Sequence, residues 1–319
     1  MKRNHFLVLS SGAVAAATIP IKAWAAESDI ALHTATGTIS GTLSLPNAAK
    51  GVPIVLIIAG SGPTDRDGNN PLIPGKNDAY KLLAAGLAGR GIASVRYDKR
   101  GIGASAKAMT SESSLRFTTY VDDAKGWIDL LRRDPRFSKV VVAGHSEGAL
   151  IGTIAAQRPG VAGFASLEGA GRPAAAILRA QLKPQFPPAL YAEADAAITQ
   201  LQNGKLYTAG LPDSLNALFR PSVQPYLISW FKYDPAVEIG KVRAPVIIVQ
   251  GTADLQVTMV DAQALQSGNP RAKLVVVEGM NHVLKHAPNT STQAAILAGY
   301  SDPALPVDPK VTDAVASLV

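Results

Sequence analysis

Apolar positions along the chain fall into short runs, separated by turn-rich loops and by stretches of helical period. Val52 to Ala59 is continuously apolar, mostly Val and Ile, and ends at Gly60-Ser61-Gly62-Pro63. A run apolar on both faces predicts a strand covered on both sides, as in a parallel sheet. Ile92 to Tyr97 reads as another buried strand, and Val140 to Ala143, Val161 to Leu167, Val246 to Gln250 and Leu274 to Val277 as further strands. Before them, residues 30 to 45 alternate apolar and small polar side chains, with breaks at Gly37 and Gly41, which predicts a hairpin or edge strands. Between the runs the period lengthens. Asp78 is placed to cap a helix reaching about Arg90. Tyr120 to Arg133 sets Val121, Ala124, Trp127, Ile128 and Leu131 on one face. Glu147 to Gln157 reads as a further helix.

Strands alternating with helices predict an α/β fold with a mostly parallel central sheet and helices on both faces. The alternation is interrupted from about Gly171 to Ile239. That block is rich in Ala, Leu, Gln and Pro, with helical segments around 173–182, 190–203 and 212–231. It reads as a helical cap inserted above the sheet. Residues 26–319 therefore form one domain carrying a cap insertion at about 171–239. Phe186, Leu190, Tyr191, Leu218, Phe219, Tyr226, Trp230 and Phe231 of the cap either line a pocket or form the cap's own core.

The first 25 residues have another character. Lys2 and Arg3 precede an apolar stretch from Phe6 to Ile21, and Ala23-Trp24-Ala25 is a small-x-small cleavage site. This is the three-part layout of a secretory signal peptide, and the apolar stretch is short for a bilayer span of ~20 residues. The expectation is an exported protein, periplasmic or secreted, with no stable membrane anchor after removal of residues 1–25. The segment also changes the charge. The chain has 31 Lys and Arg against 24 Asp and Glu, a net charge of +7. Lys2, Arg3 and Lys22 lie in the leader, so 28 basic residues remain and the net falls to +4. The longest basic runs, Lys99-Arg100 and Arg132-Arg133, each adjoin an Asp, which argues against a nucleic-acid partner. The chain has no cysteine, which removes disulfides, thiolate metal sites and cysteine nucleophiles. Oligomeric state is not legible here.

The chemistry concentrates at Gly144-His145-Ser146-Glu147-Gly148, a G-x-S-x-G sequence between a β-branched strand and a helix. Such an elbow projects the serine from the carboxyl edge of a sheet, and its flanking glycines let strand and helix approach. Serine needs a base and an acid, expected in the chain order Ser, acid, His, each after a strand. His282 lies directly after Leu274–Val277 and is preferred to His286. His145 is expected to point away. Asp254 follows Val246–Gln250 and is the candidate acid, with a helix cap as its other reading. Asp261 is the competitor, expected inside the next helix facing solvent. The oxyanion would be received by the main-chain N–H of Glu147 and by that of Ser61, with Gly62 as the near alternative. No metal and no cofactor are required.

Together, Ala59-Gly60-Ser61-Gly62-Pro63-Thr64-Asp65-Arg66-Asp67-Gly68, Tyr97-Asp98-Lys99-Arg100-Gly101-Ile102-Gly103-Ala104-Ser105, the elbow and Met280-Asn281-His282 resemble the bacterial α/β-hydrolase serine carboxylesterases. The resemblance covers nearly the whole chain after residue 25. It implies the α/β-hydrolase fold, a Ser146–Asp254–His282 triad and a helical cap. Small, short-chain carboxylic esters would be the substrates. The group's H-G-G-G histidine is absent, with Ala59 in its place. Related serine aminopeptidases need a carboxylate to hold a free amine, for which Glu147, Asp65 and Asp67 are the candidates. Each also has a structural reading. Glu147 would sit at a helix amino end, and Asp65-Arg66-Asp67 would be a self-satisfied loop. The Tyr97–Ser105 segment reads as a structural turn. Two further readings stand beside the esterase: a peptidase or aminopeptidase of the same fold, and a binding protein that kept the fold without the chemistry.

Overall fold

The computed structural model describes residues 26–46, 51–287 and 289–319. The export segment expected over residues 1–25 lies outside them. Eight strands form one sheet in the order β1-β2-β4-β3-β5-β6-β7-β8. The hairpin is β1 (Ala26–Thr34) with β2 (Gly37–Leu45), and β2 joins β4 antiparallel. The continuous apolar runs become β3 (Val52–Ile58), β4 (Ala93–Tyr97), β5 (Phe137–His145), β6 (Val161–Leu167), β7 (Val246–Gly251) and β8 (Lys273–Val277), all paired parallel. Burial on both faces is why β3, β4, β6 and β7 lack the alternation seen in β2.

Successive side chains of β3 feed opposite layers, as the pleat requires. Ile54, Leu56 and Ile58 enter the core shared with α2 (Phe117–Arg133) and α3 (Glu147–Ala155). Val55 and Ile57 enter the core shared with α1 (Ala79–Ala88). The expected apolar face of α2 is the buried one, with Trp127, Ile128 and Leu131 fully enclosed. Asp78 stands at the start of α1 but does not cap it. Its backbone is left-handed and its carboxylate accepts Asn69 Nδ2 at 2.7 Å, while Asn77 Oδ1 takes the Ala79 N–H at 2.8 Å.

Between β6 and β7 the chain leaves the sheet as α4 (Ala174–Leu182), α5 (Pro188–Gln202), α6 (Asp213–Phe219), α7 (Gln224–Trp230) and α8 (Pro235–Gly240). The single segment expected over 212–231 is two helices, because Pro221 cannot continue an α-helix. The cap seats on the amino end of α2. Phe117 stacks on Trp230 with ring centroids 6.0 Å apart, and its N–H donates to Ser229 Oγ at 2.8 Å. The fold closes with α9 (Met259–Gly268), which packs on α8, then α10 (Gln293–Ala298) and α11 (Pro309–Ala316). α8 thus belongs to the layer beneath the cap. No helix among the described residues is long and apolar enough to cross a membrane.

Candidate active site

Only Ser146 separates β5 from α3, and it turns the chain with φ 54° and ψ −121°. The two elbow glycines are what let that turn close. A Cβ on Gly144 would stand 2.1 Å from the Gly148 carbonyl oxygen, and one on Gly148 would stand 2.4 Å from that of Ile58. Neither position has room for any side chain. The Ser146 N–H donates to the Leu167 carbonyl at 2.9 Å, anchoring the turn to β6.

His282 and Asp254 meet as the strand-end argument expects. The His282 Nδ1–H donates to Asp254 Oδ2 at 2.7 Å, with both side chains buried. Burial raises the Asp254 carboxyl, but the His282 charge and hydrogen bond outweigh it and hold the group down at about 2. Its second oxygen accepts the N–H groups of Gln256 at 2.7 Å and Val257 at 3.0 Å. Asp254 therefore orders the turn before α9 as well, while the cap of that helix comes from Thr258 and Asp261. His282 and Ser146 line one cavity of about 90 Å³ together with Ser61, Tyr80, His145 and Tyr300. His286 is exposed and stands 4.0 Å from Asp308.

Two expectations about neighbouring residues are corrected. Asp261 does not face solvent. It is fully buried, accepts Arg172 Nε at 2.9 Å and Nη2 at 2.8 Å, and closes the capping box with Thr258. An ion pair with a residue 89 positions away leaves no pattern in local sequence. Nor is Asp65-Arg66-Asp67 satisfied within itself. Arg66 pairs with Asp98 at 2.7 Å, Asp67 accepts Arg96 Nε at 2.7 Å, and Asp65 accepts the N–H groups of Asp67 and Asn69. In the Tyr97–Ser105 turn, Arg100 pairs with buried Asp123 at 2.6 Å.

His145, expected to point away, instead points into the site as a fastener, because its ring is bonded at both ends. Its Nε2 lies 2.6 Å from the His282 carbonyl oxygen and its Nδ1 lies 2.8 Å from the Tyr80 hydroxyl. A carbonyl can only accept, so the proton sits on Nε2 and the Tyr80 hydroxyl donates to Nδ1. Burial and the neighbouring His282 push the imidazole down to about 3, so this ring is neutral at physiological pH. Tyr80 in turn accepts the Gly60 N–H at 3.0 Å.

Three further participants leave little trace in sequence. Glu168, at the end of β6, is wholly buried with a left-handed backbone, φ 48°. It accepts the Gly251 N–H at 2.8 Å and Gln250 Nε2 at 2.5 Å, and its carboxyl hydrogen-bonds Asp254. Burial and the Asp254 charge raise it well above the usual carboxyl range. Strand-end placement, the signal used for Asp254, would have singled it out. Lys99 and Glu147 form a buried ion pair at 2.9 Å. Lys99 also donates to the Gly60 carbonyl at 2.6 Å, and Tyr226 of α7 donates to Glu147 Oε1 at 2.5 Å. The loops after β3 and β4 and the helices α3 and α7 bring Gly60, Lys99, Glu147 and Tyr226 together.

The main-chain N–H groups of Ser61 and Glu147 donate to no other group among the described residues. Ser61, Gly62, Ser146 and Glu147 line a second cavity of about 420 Å³ beneath the cap. Its apolar wall includes Leu150, Ile177, Leu218, Phe219, Tyr226 and Trp230. The other four cap side chains weighed as pocket lining, Phe186, Leu190, Tyr191 and Phe231, pack against the core instead. Among the described residues no group of three His, Cys, Asp or Glu side chains is placed to hold a metal ion.

Comparison with known proteins agrees with this architecture. The sequence is 26% identical over 284 residues to Esterase EstD of Thermotoga maritima, covering 87% of this chain and 64% of that protein. The chain thus spans less than two thirds of that relative's length. Among solved structures, Est1E of Butyrivibrio proteoclasticus with ferulic acid bound superposes with a TM-score of 0.58 at 16% identity, over 90% of this chain and 99% of that one. The α/β-hydrolase GrgF from Penicillium sp. sh18 superposes with a TM-score of 0.57 at 17% identity, over 81% and 91%. These two likenesses are of fold. Residues 55–298 match the alpha/beta hydrolase family, and with three quarters of its length in that match, the chain belongs to it.

Proposed function

We propose that this protein is a serine hydrolase of carboxylic esters, working through Ser146, His282 and Asp254. The observation that carries the reading is the 2.7 Å bond from His282 to the depressed Asp254 carboxylate, with the imidazole and the elbow serine lining one cavity. In the first step His282 Nε2 takes the Ser146 hydroxyl proton as Oγ attacks the ester carbonyl carbon. The tetrahedral oxyanion accepts from the Ser61 and Glu147 N–H groups. Asp254 stabilises the imidazolium, which then protonates the departing alcohol. Water, deprotonated by the same imidazole, attacks the acyl-enzyme and releases the acid and the serine.

The two cavities divide the substrate. The smaller one holds His282, so the alcohol it protonates leaves on that side. The larger one holds the oxyanion donors and an apolar wall, so it receives the acyl group. Its volume of about 420 Å³ lies in the range of ligand pockets. A panel of esters from acetyl to lauroyl therefore peaks above acetyl while retaining short-chain activity. The aminopeptidase reading loses its amine anchors, because Glu147, Asp65 and Asp67 are all engaged within the protein. The esterase name of the Thermotoga relative supports the same choice. The leader-like segment at 1–25 supports an enzyme acting outside the cytoplasm.

Ser146→Ala tests the reading. Turnover of p-nitrophenyl esters should fall to background while the melting temperature holds. Full activity in that variant, preference for aminoacyl anilides, or failure of the wild type to react with a fluorophosphonate would each reject it.

A further inference from the structure

We propose that Lys99 is the positioning residue of the oxyanion hole, aiming the Ser61 N–H and fixing its spacing from the Glu147 N–H. The inference rests on the esterase reading above. Lys99 follows β4, and its side chain is 2% exposed. Its ammonium has two acceptors, the Gly60 carbonyl at 2.6 Å and Glu147 Oε2 at 2.9 Å, and it faces the Tyr120 ring at 4.9 Å.

The Gly60 carbonyl shares a peptide unit with the Ser61 N–H. Among the described residues every peptide bond is trans, and a trans peptide is planar with its C=O and N–H opposed. Holding the carbonyl toward Lys99 therefore turns the Ser61 N–H away from it. A cation on the carbonyl oxygen also polarises the unit and strengthens its N–H as a donor. The preceding peptide is fixed as well, since the Gly60 N–H is bonded to Tyr80. The second contact of Lys99 is to Glu147, whose own N–H is the other donor. One ammonium thus ties together the two segments that receive the oxyanion. Tyr226 holds the remaining Glu147 oxygen from the cap.

Stability alone is a poor account of this pair. A buried ion pair replaced by apolar side chains of similar volume often leaves stability unchanged or improved. An oxyanion donor is worth about 10²–10³ in kcat, so aiming one has a larger return.

The test is Lys99→Met, with active sites counted by fluorophosphonate titration and kcat and KM measured on a p-nitrophenyl ester. The Ki of an arylboronic acid, whose serine adduct places an oxygen in the oxyanion hole, is measured alongside. The expected result is a loss of about tenfold or more in kcat, with KM within about threefold. The boronic acid should weaken by the same factor as kcat/KM. A merely structural pair would lower the melting temperature and leave kcat per titrated site and the boronic acid affinity unchanged, which would overturn the proposal. Should Lys99→Met fail to fold, Lys99→Met combined with Glu147→Leu removes the whole pair while keeping both main-chain donors. The same loss in kcat supports the proposal, kcat within threefold of wild type overturns it, and failure of both variants to fold assigns the pair to the fold and overturns it too. Absence of ester turnover in the wild type would instead strike the esterase reading itself.

Discussion

Asp254 and Glu168 are two buried carboxyls in contact, and their surroundings drive them in opposite directions. Asp254 accepts the His282 Nδ1–H and two main-chain N–H groups and is held down. Glu168 is enclosed beside that negative charge and is pushed up. The consequence for stability has two limbs. Asp254 falls from an unfolded value near ~3.9 to about 2, so its contribution is complete above ~3.9 and lost as pH drops toward 2. Glu168 is raised, so its contribution is complete below its unfolded value of ~4.3 and declines as pH rises toward its folded value. Urea denaturation across pH should therefore show stability falling above ~4.3, by at most ~1.4 kcal/mol per unit from this group. Glu168→Gln should flatten that limb and leave the acid limb in place. An unchanged slope would show that Glu168 ionises freely. The proposed triad residues were candidates in the sequence because each follows a strand. Glu168 was missed although it follows one too, since a carboxyl with no obvious base to serve draws no attention. Asp261 was misread because its partner, Arg172, lies far away in sequence.

At the level of elements, β3 and β7 were the most readable strands, because burial on both faces leaves runs rich in Val and Ile. Helix boundaries were less so. α2 begins at Phe117, three residues before its periodic face, because the cap packs on that end through Trp230 and Ser229. The cap was visible as a block, but its division at Pro221 and the attachment of α8 to the body depend on contacts with α9 and α3. The elbow is the element where sequence and structure constrain each other most tightly. Gly148→Ala would set a methyl carbon 2.4 Å from the Ile58 carbonyl oxygen at the end of β3 and 2.5 Å from that of Ala59. The strand and helix would have to separate, at a cost of about 2 kcal/mol or more. Urea midpoints should fall accordingly, and ester turnover should fall further than stability does. Wild-type stability in Gly148→Ala would mean that the elbow can open without penalty.

Across the whole molecule, the charge depends on the fate of the first 25 residues. The Ala23-Trp24-Ala25 site is the expected point of cleavage, and removal of residues 1–25 would leave a net charge of +4. Mass spectrometry of the protein recovered from an expressing bacterium's periplasm or medium should give Ala26 as the first residue. Recovery of the intact amino terminus in the cytoplasm would overturn the export expectation.

The turn at Ser146 carries a cost of its own. A non-glycine residue at φ 54° and ψ −121° sits where L-amino acids are strained by roughly 1–3 kcal/mol. Glycine would relieve that strain and lose the hydroxyl. Selection for thermal endurance alone would thus erode the residue proposed as the nucleophile. Efforts to make this protein more robust should leave the elbow tense and seek their gains in the surface and the cap.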